Sequence, residues 1–353
     1  MAKIIKVAAL QMDANPAPLA DRLDRADRLV TQAARAGAQL ALLPELFNTG
    51  YAYTDENYHQ AEPAKGVTGD WMKKNAARLG IHLAGSILLR EGDDLYNSLL
   101  LFSPGGQTWR YDKNYPWAWE RGYFRGRRGI TVAHTELGDL GMMICWDIGH
   151  RHLWRAYAGK VDLMVIASCP PDGTNPTYLF PDGSQVTLNE MGRLIGSLRD
   201  SAGWLFGDLL NQQTAWLGVP TLHTVGSGRI QTRIPRGAAL TCSLIPFAPR
   251  LARFLPQADE LQMACDMIPG CKVVDASGHV IAERTQAEGE GFTLAEVALP
   301  DTRPSPRGNQ PEIRLPWMAY FNADILIPLL MRSVYRKGLR QLRKLREGSA
   351  SEI

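Results

Sequence analysis

The chain opens on an alternating, β-rich run at residues 4–10 that predicts a first strand. Pro16 and Pro18 then open a helix that keeps Leu19, Leu23, Ala26, Leu29, Val30 and Ala33 on one face, and Gly37 is placed to end it. Residues 40–43 are an apolar run typical of a buried strand, stopped by Pro44-Glu45, so a carboxylate sits at the strand's C-terminal edge. A second helix is predicted around residues 70–79, ending at Gly80. Strand-like runs at 82–89, 96–102 and 108–111 are separated by Asp93-Asp94 and Pro104-Gly105-Gly106, the pattern of an antiparallel meander.

Residues 141–145 form another apolar run, ending at a polar step, Trp146-Asp147; a helix over about 151–158 and a buried strand at 163–167 follow. Strands alternating with helices and then hairpins predict a sheet-rich α/β domain with helices on its outer faces. Polar residues at the ends of apolar strands are where such folds place their sites. From 201 to 269 the pattern is harder to read, and 244–254 is apolar but broken by Pro246 and Pro249. A hairpin is expected at 271–283, turning at Ser277-Gly278, then a last strand at 292–297 and a Pro-rich arm at 300–316. The expected organisation is one domain over 1–300, with an apolar insertion-like segment at about 201–269, followed by an arm and a basic helix over 301–353.

Composition narrows the class. With 353 residues, 45% hydrophobic and 21% charged, the chain buries a substantial core and is not disordered. Arg332, Arg336, Lys337, Arg340, Arg343, Lys344 and Arg346 crowd one segment, and removing those seven from the net charge of +3 leaves the body at −4. A mildly acidic body carries no footprint for nucleic acid. Cys145, Cys169, Cys242, Cys265 and Cys271 form no CxxC pair and no metal-ligand spacing with the histidines, which points to reduced thiols in a cytoplasmic protein. Residues 1–11 turn polar too soon for a signal peptide, and no stretch has the length of a clean membrane span.

Cys145 closes an apolar strand ahead of a helix, where backbone N–H groups can stabilise negative charge near the sulfur. Taken singly, a cysteine after Met-Met-Ile reads as core, Glu45 as half of a salt bridge and Lys113 as a surface cation. Together they are chemically complete. A thiol attacks an electrophilic carbon, a carboxylate moves its proton to the leaving amine, and an ammonium steadies the oxyanion.

Residues 42–47, Leu-Leu-Pro-Glu-Leu-Phe, with Thr49-Gly50-Tyr51 after them, resemble the first signature of the nitrilase superfamily. Tyr111-Asp112-Lys113 with Pro116-Trp117 is similar to its lysine motif, and residues 141–147, Gly-Met-Met-Ile-Cys-Trp-Asp, to its cysteine elbow. The hairpin at 273–280 resembles the family's closing strand pair, and Arg155 lies where members often carry an arginine. The resemblance implies a four-layer α-β-β-α sandwich with a C-terminal extension. It implies Glu45 as general base, Lys113 as oxyanion stabiliser, Cys145 as nucleophile and Glu120 as a second glutamate that positions the substrate nitrogen or tunes Lys113. The Trp146 backbone N–H would help hold the oxyanion, with Tyr51 and Trp117 placed near the substrate and the loop that carries Cys169 also facing the pocket. No metal or organic cofactor is needed, and members commonly assemble as homo-oligomers through their termini.

The sequence also departs from the family. Amidase-like members usually follow the elbow with an aromatic, a proline and a glutamate. This chain has Gly149-His150-Arg151-His152, which reads equally as a polar substrate contact or a surface cluster capping the helix. Cys-Trp-Asp is closer to amidase and carbamoyl-hydrolase branches than to true nitrilases. Cys169 is followed by Pro170 and Pro171, which leave it no helix N-terminus to lower its pKa. Trp204, Leu205, Phe206, Leu209, Leu210 and Trp216 either line a hydrophobic entrance or pack under the sandwich. The run 315–331, interrupted by Asp324 and Pro328 and followed by the basic cluster, suits peripheral attachment to an anionic membrane; a helix arm on a partner subunit fits the same residues. The expected activity is hydrolysis of an amide or carbamoyl compound, with a nitrile-acting enzyme or an amide-forming acyltransferase as alternatives and a degenerate scaffold protein as the non-enzyme rival.

Overall fold

The structure is a computed structural model that describes residues 3–268 and 270–350, without the side chains of Leu194 and 345–350. Pro269, the far bound of the insertion-like segment, the Arg346 side chain of the basic cluster, and the tail's last residues through Ile353 lie outside the described residues.

Most strands belong to a 12-stranded sheet folded into two halves. The first half runs Thr108–Asp112, Asp94–Phe102, His82–Glu91, Leu40–Leu42, Lys3–Asp13, with Gly291–Leu299 antiparallel to Lys3–Asp13. The second half runs Val132–His134, Asp139–Ile144, Leu163–Ser168, Thr221–Ser227, and continues through the hairpin Cys271–Val274 and Val280–Arg284. A short parallel ladder, Met12 to Gly226 and Asp13 to Ser227, joins the halves.

Side-chain alternation sorts the layers. Ala8, Leu10 and Met12 face out and pack on Leu23, Ala26, Leu29 and Val30 of the helix Leu19–Arg35, and on Met72 and Ala76 of the helix Val67–Leu79. Ile5, Val7 and Ala9 face in and share a core with Leu140, Met142 and Ile144 of the other half. The helices Arg151–Tyr157 and Leu210–Leu217 complete the fourth layer. The expected α-β-β-α sandwich is the architecture found. Each Leu, Ile or Val buried in these layers contributes about 1.5–3 kcal/mol. That offsets the cost of burying Arg22 on the inward face of the first helix. Its guanidinium donates to the carbonyls of Phe47 (2.6 Å), Asp13 (2.9 Å) and Asn15 (2.6 Å), fastening the segment that follows Glu45.

The expected elements in the first 170 residues are present, most of them a residue or more longer. Val67–Leu79 ends at Gly80 in the left-handed conformation, as expected. Two features differ from what the pattern shows. The helix begins at Arg151 as expected, but the strand ends at Ile144 and Cys145–Gly149 is a 3-10 turn, so Cys145 does not lead straight into the helix. The second concerns Thr221–Ser227, which sits inside the second half and was not anticipated, because Thr221, His223, Thr224 and Ser227 hide its apolar pattern although all are buried. Within 201–268 the chain otherwise forms the helical turns Ser201–Trp204 and Leu205–Leu209 leading into Leu210–Leu217, strands of a small separate sheet, a short helix Gly237–Leu244, and a 3-10 stretch Pro249–Glu260. After the Pro-rich arm, Trp317–Tyr320, a widened π turn Phe321–Leu326 and the helix Ile327–Ala350 run on continuously. Pro328 does not break this helix; it stands directly after the widened π turn.

Candidate active site

Three strand ends converge on one buried cluster. Glu45 follows the strand Leu40–Leu42, Lys113 follows Thr108–Asp112, and Cys145 follows Asp139–Ile144. The Lys113 ammonium is wholly buried and donates to Glu45 Oε1 at 2.7 Å and to Glu120 Oε2 at 2.7 Å. A buried cation between two carboxylates is the arrangement that makes such burial tolerable. Glu45 Oε1 also accepts from Asn97 Nδ2 at 2.7 Å, and Asn97 is held in turn by the Ser86 hydroxyl. Glu45 Oε2 is buried without a hydrogen bond from nitrogen or oxygen among the described residues. The Cys145 thiol lies near enough to the carboxylate to favour its charged form. Glu120 is fixed by Tyr51 OH (2.6 Å) and by the Trp117 backbone N–H (2.8 Å).

Electrostatics follow from burial. Desolvation raises the Glu45 carboxyl to about 7, against the opposing pull of Lys113. Burial works to lower Lys113, but Glu120 and Glu45 override it and hold the ammonium well above its usual range. Burial, with the Glu45 charge, pushes the Cys145 thiol well up, so the resting sulfur is protonated beside a carboxyl of nearly neutral pKa. The Cys169 backbone N–H works in the opposite direction, favouring the thiolate.

The elbow itself is strained. Cys145 has φ of +49°, a left-handed conformation that costs an ordinary side chain about 1–2 kcal/mol. The next residues are anchored by Asp147, which accepts from Tyr111 OH (2.7 Å) and from the backbone N–H of Tyr115 (2.8 Å). Asp147 thus ties the loop after Lys113 to the elbow. Trp146 Nε1 donates to Asp324 Oδ1 at 3.0 Å, and Tyr320 OH donates to the Gly149 carbonyl at 2.6 Å, which locks the C-terminal helical segment onto the same elbow.

Cys145, Trp146, Tyr51 and Trp117 line a cavity of about 190 Å³. Its wall is overwhelmingly apolar, with Phe180, Met191, Leu205, Leu244, Met263 and Ile327 among its members. The 201–269 segment divides between the two expected uses. Leu205 and Phe206 line the cavity, whereas Leu209, Leu210 and Trp216 are buried away from it. His150 does not line it: the ring stacks on Tyr115 (centroids 3.5 Å apart) and sits 3.2 Å from Asp324 Oδ2. The Cys169 side chain also lies outside the wall, against Met267 sulfur at 3.8 Å, and burial raises its thiol well above the usual range. Sequence reasoning missed Asn97, Arg22 and Asp324. A signal existed for two of them: Asn97 interrupts an apolar strand, and Arg22 sits on the apolar face of a helix.

A carbon–nitrogen hydrolase family model matches residues 6–192, just over half of the chain. A nitrilase from Pyrococcus abyssi is 31% identical over 148 residues, covering 41% of this chain and 56% of that protein. An omega-amidase from Danio rerio is 33% identical over 152 residues, covering 40% of this chain and 54% of that protein. The chain therefore spans about half the length of the curated relatives it matches. Among solved structures, a CN-hydrolase superfamily protein from Xanthomonas campestris shares the fold with a TM-score of 0.61 at 17% identity, covering 84% of this chain and 91% of that one.

Proposed function

This chain belongs to the carbon–nitrogen hydrolase family, and from that premise we propose that it hydrolyses a non-peptide amide or carbamoyl C–N bond of a lipophilic substrate, through a thioester on Cys145. The observation that carries the reading is Cys145, beside the buried Glu45–Lys113–Glu120 cluster, lining a cavity whose wall is mostly apolar. The Cys145 sulfur attacks the carbonyl carbon while Glu45 takes the thiol proton. The oxyanion is met by the Lys113 ammonium and the Trp146 backbone N–H. Collapse expels the amine, which leaves with the proton from Glu45. Water then attacks the thioester with Glu45 again as base, releasing the acid and restoring the thiol. Glu120 holds Lys113 and so acts through it.

The test is a series of straight-chain amides of increasing acyl length, read by amine or ammonia release and by the mass of the intact protein. Each methylene buried in the cavity contributes about 0.8 kcal/mol, so kcat/KM should rise about fourfold per added carbon until the cavity is filled. A flat or falling series from the shortest amide onward rejects the lipophilic reading. Turnover of nitriles alone would support the nitrilase alternative, for which the Pyrococcus relative speaks.

The pH profile is a second expectation. The base must be ionised, and burial holds Glu45 at about 7, so kcat/KM should fall about tenfold per unit below that point. Because the Glu120 charge contributes to raising Glu45, Glu120→Gln should move the acid limb to lower pH. An acid limb that stays in place in that variant would assign it to another group.

A further inference from the structure

The last helical segment has two faces with different tasks. Ala319, Asn322, Ala323 and Ile327 face inward and line the cavity that reaches Cys145. On the other side Trp317, Phe321, Ile325 and Leu329 stand in the solvent, 65%, 36%, 52% and 49% exposed. Large apolar side chains are rarely left this open in a row at helical spacing. Further along the helix the exposed positions turn cationic, at Arg332, Arg336, Lys337 and Arg340. Among the described residues no carboxylate pairs with Arg332, Arg336 or Lys337. An apolar stretch with Trp and Phe, continued by unpaired cations, matches the boundary between acyl chains and anionic headgroups. No described helix is long and apolar enough to cross a membrane, so the geometry is that of a helix lying on a surface.

We propose that this face docks the protein on an anionic lipid bilayer, with Trp317, Phe321, Ile325 and Leu329 entering the interface and Arg332, Arg336, Lys337 and Arg340 meeting the headgroups. Docking places at the lipid boundary the segment whose inner side forms the wall of the catalytic cavity. Through Asp324, which receives Trp146 Nε1 and faces His150, that segment is also bonded to the nucleophile elbow. The proposal rests on the hydrolase reading only for what enters the cavity, since binding is measured without substrate.

The experiment is co-sedimentation of the whole protein with phosphatidylcholine vesicles, with and without phosphatidylglycerol. Wild type should sediment with the anionic vesicles and be released by salt, as screening weakens the cationic contribution. Arg332→Glu with Arg336→Glu should weaken the partition at least ~25-fold, at about fivefold per charge removed. Phe321→Glu with Ile325→Glu should abolish it while leaving hydrolysis of a soluble amide unchanged, which shows that the fold is intact. Wild type remaining in the supernatant with anionic vesicles overturns the proposal. So does a dimer by light scattering that the Phe321→Glu, Ile325→Glu protein fails to form, because the face would then belong to a second copy of the chain.

Discussion

Cys145→Ala is expected to reduce turnover to background, a loss of roughly 10⁴-fold or more, since the proposed thioester forms on its sulfur. The change should leave stability nearly untouched. Alanine at φ +49° carries the same left-handed cost as cysteine, and the sulfur contributes little packing where it lines a cavity. Cys145→Gly should relieve that cost and raise the melting temperature while being equally inactive, which would mark the strain as serving the site. Cys169→Ala is the informative control. Its thiol is also raised well above the usual range by burial, but its contribution to Cys145 is a backbone N–H that alanine keeps, so activity should remain within about tenfold of wild type. Kinetics of the three variants on one amide, with intact mass to catch a retained acyl group, check all of this. Undiminished turnover in Cys145→Ala would remove the nucleophile from the scheme.

What could be read from the residues depended on how local the cause was. Glu45, Lys113 and Cys145 each follow a strand whose apolar run is continuous in the sequence, so both the strand and its polar terminus were visible. Their convergence was not. It depends on the strands' order in the two halves of the sheet and on the joining ladder at Met12 and Asp13, which no local pattern encodes. Thr221–Ser227 escaped because polar side chains on it bond to other chain segments: Thr221 to Thr214 at 2.7 Å and His223 Nε2 to Ser168 at 3.0 Å. A buried polar strand is readable only once its partners are known. The cavity wall is similar. Residues near 180, 205, 244 and 327 meet around one space although nothing in their spacing connects them.

The histidines show the opposite case, in which a plausible chemical reading has a structural answer. His150 lies five residues beyond Cys145, yet its ring is occupied by Tyr115 on one face, the Trp146 carbonyl at 3.1 Å and Asp324. It braces the backbone of the elbow rather than the cavity. The apolar cavity and the bracing of the elbow both depend on the C-terminal segment, so a feature that looked peripheral in the sequence completes the site.

Lys113→Met is the second large effect, and it separates catalysis from stability. The ammonium sits between Glu45 and Glu120 with no exposure, so its removal leaves two buried carboxylates without their shared cation. Removing one member of a buried charge network costs about 3–5 kcal/mol. The cost should depend on pH in a fixed direction. Without the cation Glu45, already raised by burial, titrates higher still when folded than the unfolded value of about 4.3. The deficit is therefore small near pH 4 and grows as pH rises from there through the raised folded value. Adding Glu120→Gln to Lys113→Met removes one of the two charges and should recover a good part of the stability. It should recover none of the activity, because the oxyanion still lacks its ammonium, a loss of at least ~10²-fold in kcat. Urea unfolding across pH, beside kcat/KM for each variant, reads both quantities. If the double variant regained stability and activity together, Lys113 would be a structural cation only; if Lys113→Met retained wild-type turnover, the oxyanion would be held elsewhere.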